Sequence, residues 1–541
     1  MSHFRSLILP LVMALAWAAP LPSQSAPEHI ERSVAMDDGV ELSASVFLPG
    51  RAEERDAWPA IVFIHGFSGS KNVEAARRAA ERGYIGMAYT VRGQGRRPGG
   101  APSGGFSTVQ GPREVKDLAA MLDWLKHEFP VNPQKIGVTG GSQGAIHAWM
   151  ALSERMGVAA AVAENFTAAL PEAVIVSGAL NSRMASSGSA VALDPEFQKA
   201  RQAAAQYDVA AIRRLYSPRN YRAKLAGVDT PTMIQFAFKD GWGVANLVLE
   251  DYRLLEGPKK LYLGTIGHGS ANIAEERRFR DEWRDRWFDR WLKGERNGIE
   301  QEPPVEVALL DSWERLSLPS FPPPSISMVN YYLEGDDAAG GRLLADDRQA
   351  YTKRNLIEEI EPPSRAFTVQ TVRHEPISGF DLAAFYEAGA PLDKALDQIP
   401  LSSARYETPP LDEDLLLVGI PQLQLVASGS DGPYPLAVRL WDVDPAERQR
   451  LISRAGLVVD QPAELEGHAL KIPLSATAYR AEAGHRLRLE ISNLDMDWDA
   501  EKQDWARLWA LPVPQPAEIE IHTGGWIFSL IKLPVLPKRG D

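Results

Sequence analysis

No cysteine occurs among the 541 residues. Disulfides, thiolate metal sites, a cysteine nucleophile and a lipid-bearing N-terminal cysteine are thereby excluded. Long apolar runs are missing too. The nearest candidate, Leu7 to Ala19, is interrupted by Pro10 and falls short of the roughly 20 residues that span a bilayer. Basic charge is in deficit: 58 Lys and Arg against 71 Asp and Glu leave a formal net charge of −13 and a pI near 5.4. That balance argues against nucleic acid as a partner. No H-E-x-x-H or comparable ligand spacing appears, so metal chemistry is disfavoured and no cofactor is expected.

What is present begins with Arg5, an apolar stretch and then small residues, the order of a secretory signal. Residues 1–26 are read as that signal, with a cut after Ala18 or Ser25. An exported chain without disulfides fits a bacterial periplasm or culture fluid. At this length two to three domains are expected. Residues 27–300 alternate strand-like and helix-like segments. The apolar runs "AIVFIHG", "GYIGMAYTV", "KIGVTGG", "GVAAAVAEN", "PTMIQFAF" and "KKLYLGTIG" have the character of buried parallel strands. Helical stretches such as "EVKDLAAMLDWLKHE" lie between them, implying an α/β fold with a mostly parallel, doubly covered sheet. Phe279, Trp283, Trp287 and Trp291 recur every four residues and read as a packing stripe on one helix. From 301 to 541 the pattern becomes two-residue alternation, as in "PLAVRLWDV", "GHRLRLEIS" and "PAEIEIH", the mark of a β-sandwich. The terminal RGD tripeptide is read as accidental.

"KIGVTGGSQGAIHAWM" carries the chemistry. Gly140 to Gly144 match G-x-S-x-G between a strand and a helix, a junction that lifts the Ser142 hydroxyl clear of a sheet. A serine hydroxyl needs a base to take its proton and a carboxylate to orient that base. Asp240 stands where the strand "TMIQFAF" ends, and His268 lies in a glycine-flanked loop after "KKLYLG". The order Ser, Asp, His is the one an α/β-hydrolase requires. Asp251 is a rival acid, but it falls inside a helix. The oxyanion needs two donors. They are assigned to the backbone N–H of Gln143 and to that of Phe67 in the "HGFSGS" loop, which His65 braces.

"MDDGVELSASVFLP", "VRGQGRRPGG", "EVKDLAAMLDWLKHEFPVNPQKIGVTGGSQG" and "WFDRWLKG" resemble the X-prolyl dipeptidyl-peptidase and cocaine esterase (CocE/NonD) serine hydrolases. "YYLEG", "RLWDVDP" and "PLSATAYRAEAGHRLRLEIS" are similar to the jelly-roll domain of that group. The resemblance implies an α/β-hydrolase core, a helical cap at about 168–226, a C-terminal jelly roll, and hydrolysis of small esters or short peptides through an acyl-enzyme. Carried over by motif, the triad is Ser142, Asp240 and His268. Two positions depart from the family, where tyrosines commonly stand at Phe67 and Gln143; without that hydroxyl, the first-loop donor must be a backbone N–H or Ser68. The cap is short and offers few groups to clasp a peptide N-terminus, which favours esterase activity. Glu164 and Asp194 are the acidic residues near it. Dipeptidyl-peptidase or amino-acid ester hydrolase activity is the alternative, and a non-catalytic binding protein on a hydrolase fold is the alternative of another class.

Overall fold

The computed structural model describes residues 26–50, 55–181, 191–265, 267–268, 273–337, 340–345, 368–374, 401–429, 433–459, 469–499, 504–508, 510, 513, 515–523 and 529–538. The expected signal (all but its last residue) and the terminal tripeptide lie outside them. Asp38-Gly39 turns the first hairpin, with Gly39 at φ +76° between β1 (Glu28–Ala35) and β2 (Glu41–Leu48). Leu42, Ala44 and Val46 of β2 are fully buried, as the alternation predicts. β3 (Trp58–Ile64), β4 (Ile85–Tyr89), β5 (Val131–Gly141) and β6 (Ala160–Glu164) follow, with helices α1 (Val73–Glu81), α2 (Pro112–Glu128) and α3 (Gln143–Ser153) between them.

An insert of short elements then interrupts the sheet. It holds α4 (Leu170–Val174), the small hairpin β7 (Ile175–Val176) and β8 (Ala179–Leu180), α5 (Pro195–Ala205) and α6 (Val209–Tyr216). Residues 195–216 form two helices rather than one. Tyr207 takes a left-handed φ of +54°, and the Asp194 and Asp208 side chains cap α5 and α6 through the Glu196 and Ala211 amides (2.9 and 2.8 Å). The chain rejoins the sheet as β9 (Thr232–Ala237), continues through α7 (Ala245–Leu254), β10 (Lys259–Gly264) and α8 (Ala274–Phe288), and closes with β11 (Val305–Ala308) and β12 (Arg315–Leu318). The order is β1-β2-β4-β3-β5-β6-β9-β10-β11-β12, parallel from β4 to β11 and antiparallel at both edges. Residues 305–318, grouped by pattern with the second unit, therefore belong to the first sheet. The aromatic stripe is packing: Trp283 and Trp287 are buried against Tyr84, Tyr262 and Ile61, and Phe279 and Trp291 flank them.

The second unit is β-rich, with strands gathered about a core that is continuous with the first. Leu487, Leu489 and Ile491 of "RLRLEIS" are fully buried. The segment Tyr434–Val443 departs from the expected alternation, since all ten of its residues are buried. It pairs on both sides, and its polar face is covered as well: Arg439 donates to Leu494 O (3.1 Å), and Trp441 Nε1 donates to Glu490 (3.2 Å). The two units meet beside the loop that follows β9. Asn246 at the start of α7 donates through Nδ2 to Leu474 O (2.9 Å) and accepts from Ala476 N–H (2.7 Å).

The tightest fit lies where β5 runs into α3. A methyl group at Gly140 would stand 2.2 Å from the Ile64 carbonyl oxygen, and one at Gly144 would stand 2.1 Å from the same atom. At Gly141 the nearest atom would be 3.9 Å away. Both approaches are to backbone, which cannot swing aside.

Three stability predictions follow from this packing. Gly144→Ala lowers the unfolding free energy by about 1–3 kcal/mol, whereas Gly141→Ala changes it by less than about 1 kcal/mol, read from urea midpoints. Asn246→Ala strips two main-chain groups of partners and costs about 1–3 kcal/mol in the same measurement. Burial holds the His65 and His147 imidazoles neutral, down to about 4 from the ordinary 6.5. Between those values the unfolded chain binds the extra protons, so their contribution is full above about pH 6.5 and is lost as pH falls towards 4. The slope is about 1.4 kcal/mol per pH unit for each histidine. Urea midpoints measured from pH 7.5 to 4.5 should therefore fall less steeply for His147→Gln than for the parent.

Candidate active site

Ser142 sits between β5 and α3 with φ +56° and ψ −116°, a backbone conformation that non-glycine residues rarely hold. Its own N–H donates to Glu164 O (2.8 Å), and its carbonyl accepts from Ala145 and Ile146 N–H (3.0 and 3.3 Å). With Gly140 and Gly144 pressed against Ile64, the turn has no room to relax. The serine is thus fixed on the rim of the sheet at the carboxyl ends of its central strands, where open α/β sheets place their ligands.

Asp240 lies just past β9, and its side chain is completely buried. Its Oδ2 stands 2.6 Å from His268 Nδ1, and its Oδ1 accepts the Trp242 N–H (2.8 Å). One carboxylate oxygen is therefore spent on holding its loop, and the other faces the imidazole. His268 follows β10, and its ring lies 5.5 Å, centroid to centroid, from that of Trp242. With Nδ1 committed to the aspartate, Nε2 is the nitrogen left to exchange a proton. Ser142, His268 and Trp242 line one cavity of about 1070 Å³, which Phe67 and Gln143 also line. The rival Asp251 is elsewhere. It is buried in α7, where it accepts from Thr167 Oγ1 (2.5 Å), Ala168 N–H (2.9 Å) and Arg222 Nε (2.7 Å), and so secures the start of the insert.

The "HGFSGS" loop lies against Ser142: a methyl group at Gly66 would come within 3.7 Å of its Cβ. His65 braces that loop. Its Nε2 accepts the Val91 N–H (3.0 Å), so Nδ1 carries the hydrogen and donates to Gly66 O (2.7 Å). The ring is neutral and fully engaged, which rules it out as a base. Ser68 N–H is also committed, donating to Gln94 Oε1 (2.8 Å), and Ser68 Oγ accepts from Arg97 Nη2 (2.6 Å). On the nucleophile side, Gln143 is the first residue of α3, a position whose amide has no partner within the helix. Its side chain is buried and turns back to meet Gln94 and Gln110, a cluster that the sequence reading did not anticipate. The one available signal was a glutamine inside "VRGQGRRPGG".

Among the described residues the cavity wall carries the carboxylates of Glu164 and Asp281, and Arg284 pairs with both at 3.3 and 3.0 Å. Arg280 adds a second cation to Glu164 at 3.7 Å. Asp194 is occupied as the cap of α5. The insert is tied to the loop before α2 by Arg219, which donates to Val109 O (2.8 Å) and Thr108 O (2.5 Å), and by the Tyr221 hydroxyl, which donates to Gln110 O (2.6 Å). Val109 and Gln110 are held at φ +51° and +54°.

Residues 38–219 match the family described as X-Pro dipeptidyl-peptidase (S15 family), and residues 297–502 match the X-Pro dipeptidyl-peptidase C-terminal non-catalytic domain. The first match includes Phe67, Ser142 and Gln143 and stops before Asp240 and His268. Among solved structures, a CocE/NonD family hydrolase from Staphylococcus aureus is similar at 15% identity and a TM-score of 0.63, over 95% of this chain and 97% of that one. An alpha-amino acid ester hydrolase is similar at 18% identity and a TM-score of 0.64, over 98% of this chain and 100% of that one. Both show the same two-part fold. An uncharacterized protein of Escherichia coli (strain K12), YcjY, is 31% identical over 110 residues, 20% of this chain and 34% of that protein, so the chain spans about a third of this curated relative. With the α/β-hydrolase sheet, the β-rich second unit and both family matches in place, the chain belongs to the X-Pro dipeptidyl-peptidase (S15) family and is a serine hydrolase.

Proposed function

We propose that the chain is an exported carboxylic-ester hydrolase whose nucleophile is Ser142, with His268 as general base and then general acid and Asp240 orienting it. The observation that carries this reading is the 2.6 Å contact between Asp240 and His268, in the wall of the cavity where the strained Ser142 turn is exposed. Ser142 Oγ attacks the ester carbonyl carbon as its proton passes to His268 Nε2. The carbonyl oxygen becomes an oxyanion, facing the N–H groups of Phe67 and Gln143. Asp240 stabilises the imidazolium across Nδ1 without taking the proton. His268 then protonates the departing alkoxide, leaving an acyl-serine. Water repeats the sequence on that ester, with His268 again removing a proton and returning it to Ser142.

Ester substrates are favoured over peptides with a free N-terminus by the charges in the cavity wall. An α-ammonium group is held best by an unpaired carboxylate, and among the described residues Glu164 is already ion-paired with Arg284 and Arg280, and Asp281 with Arg284. Phe67, with no hydroxyl, contributes to the oxyanion site through its backbone. That role falls to its N–H because the Ser68 N–H is engaged by Gln94. Export rests on the leading segment, whose Arg5, apolar stretch and following small residues have the composition of a cleaved signal.

Two kinetic outcomes test this. Ser142→Ala lowers kcat for p-nitrophenyl acetate by about 10⁴-fold or more at an unchanged melting temperature, and Asp240→Asn lowers it by about 10²–10⁴-fold. The parent hydrolyses p-nitrophenyl acetate at least about 100-fold faster, as kcat/KM, than glycyl-prolyl p-nitroanilide. The reverse preference would make the protein a dipeptidyl-peptidase.

A further inference from the structure

Gln94, Gln143 and Gln110 form a buried chain of carboxamides directly beneath the nucleophile. Their orientation is set by two main-chain groups that cannot change role. Ser68 offers only an N–H, so the atom of Gln94 facing it at 2.8 Å must be Oε1. Gln94 is then left with Nε2, which donates to Gln143 at 2.7 Å, so Gln143 must present its own Oε1. Gln110 Nε2 donates to the same oxygen at 2.7 Å. Gln143 Nε2 consequently faces the other way, towards His65 O at 3.4 Å and back to Gln94 Oε1 at 3.4 Å. Both constraints agree on one arrangement, and all three side chains lie in the interior.

This chain joins the two loops that must be held in register for oxyanion binding. Its far end is the residue after the nucleophile, and its near end is the amide next to Phe67. Ser68 sits at φ +63°, a left-handed conformation that a serine does not keep without outside support. The bond from its N–H to Gln94 supplies that support, and the preceding residue is Phe67, which lines the same cavity as Ser142. We infer that Gln94 is a positioning residue of the oxyanion hole, setting the Phe67 amide relative to the Ser142–Gln143 turn through a hydrogen-bond relay with Gln143. The inference rests on the reading that the Phe67 and Gln143 amides receive the oxyanion.

Loss of an oxyanion donor costs about 10²–10³ in rate, and its misplacement costs part of that. The effect falls on the transition state, not on substrate binding. The test uses full-length protein and two variants, with p-nitrophenyl acetate as substrate. A phenyl trifluoromethyl ketone serves as the analogue: its carbonyl carbon bonds to the serine oxygen and its carbonyl oxygen becomes an alkoxide. Gln94→Leu is expected to lower kcat about 10- to 100-fold with KM within about threefold, and to raise the inhibition constant of the ketone by a similar factor. Gln94→Glu preserves size and gives a second readout if the leucine variant fails to fold. A protonated carboxyl at position 94 can accept from Ser68 and donate to Gln143, as the amide does. Once ionised it turns an acceptor towards the Gln143 oxygen. The ratio of its kcat to that of the parent should therefore fall as pH rises, giving a limb absent from the parent profile. If Ser142→Ala is inactive while folded Gln94→Leu and Gln94→Glu keep parental kcat at every pH, the inference is overturned and the proposed triad stands. If Ser142→Ala itself retains ester turnover, the proposed function falls, and this inference with it.

Discussion

At the carboxyl edge of the sheet, the carbonyl oxygen of Ile64 leaves space for a hydrogen atom at residues 140 and 144 and for nothing larger. Most of the site's geometry depends on that fit. Because α3 must start against the end of β3, the residue between β5 and α3 is forced into a left-handed turn, and Ser142 occupies it at φ +56°. The same contact brings the loop after β3 alongside Ser142, so the candidate oxyanion loop and the candidate nucleophile are neighbours by construction. Strain of this kind costs roughly 1–3 kcal/mol and persists only where surrounding structure fixes every alternative. Here the β5–β6 pairing, the Glu164 carbonyl and the glutamine cluster do so.

The elements around this edge divide the remaining work. The Asp240 loop is braced from outside: Asn246 binds main chain of the second unit at Leu474 and Ala476, so the β-rich unit sets where the acid loop rests. The insert is fastened by Arg219 and Tyr221 to the loop before α2, by Asp251 at its base, and by main-chain bonds of Ala192 to Gly93 and Ser107. The loops thus draw part of their order from hydrogen bonds between polar side chains and backbone, added to the packing of Val109, Tyr221 and Phe238 in the core.

The sheet strands and the positions of the three candidate site residues were legible in the sequence because each rests on a local signal. Buried parallel strands show as apolar runs, and the strand–serine–helix junction carries glycines that steric contact demands. Asp240 and His268 could be placed because residues at strand ends converge on one edge of a parallel sheet. What was not legible depended on tertiary pairing. The strand Tyr434–Val443 reads as half-exposed, yet neighbours cover both of its faces, Arg439 included. Residues 305–318 follow the boundary suggested by composition but pair with β10. The role of Gln143 was read from its backbone alone, since no periodicity reveals that its side chain meets Gln94, 49 residues away, and Gln110, 33 residues away.

The central claim is that one serine, held on that turn, is the nucleophile. The most direct measurement is reaction with a fluorophosphonate, followed by mass spectrometry of the proteolysed adduct. A single phosphonyl group is expected on the peptide containing Ser142, and no adduct on folded Ser142→Ala. Modification of a different serine, or equal labelling of the alanine variant, would contradict it.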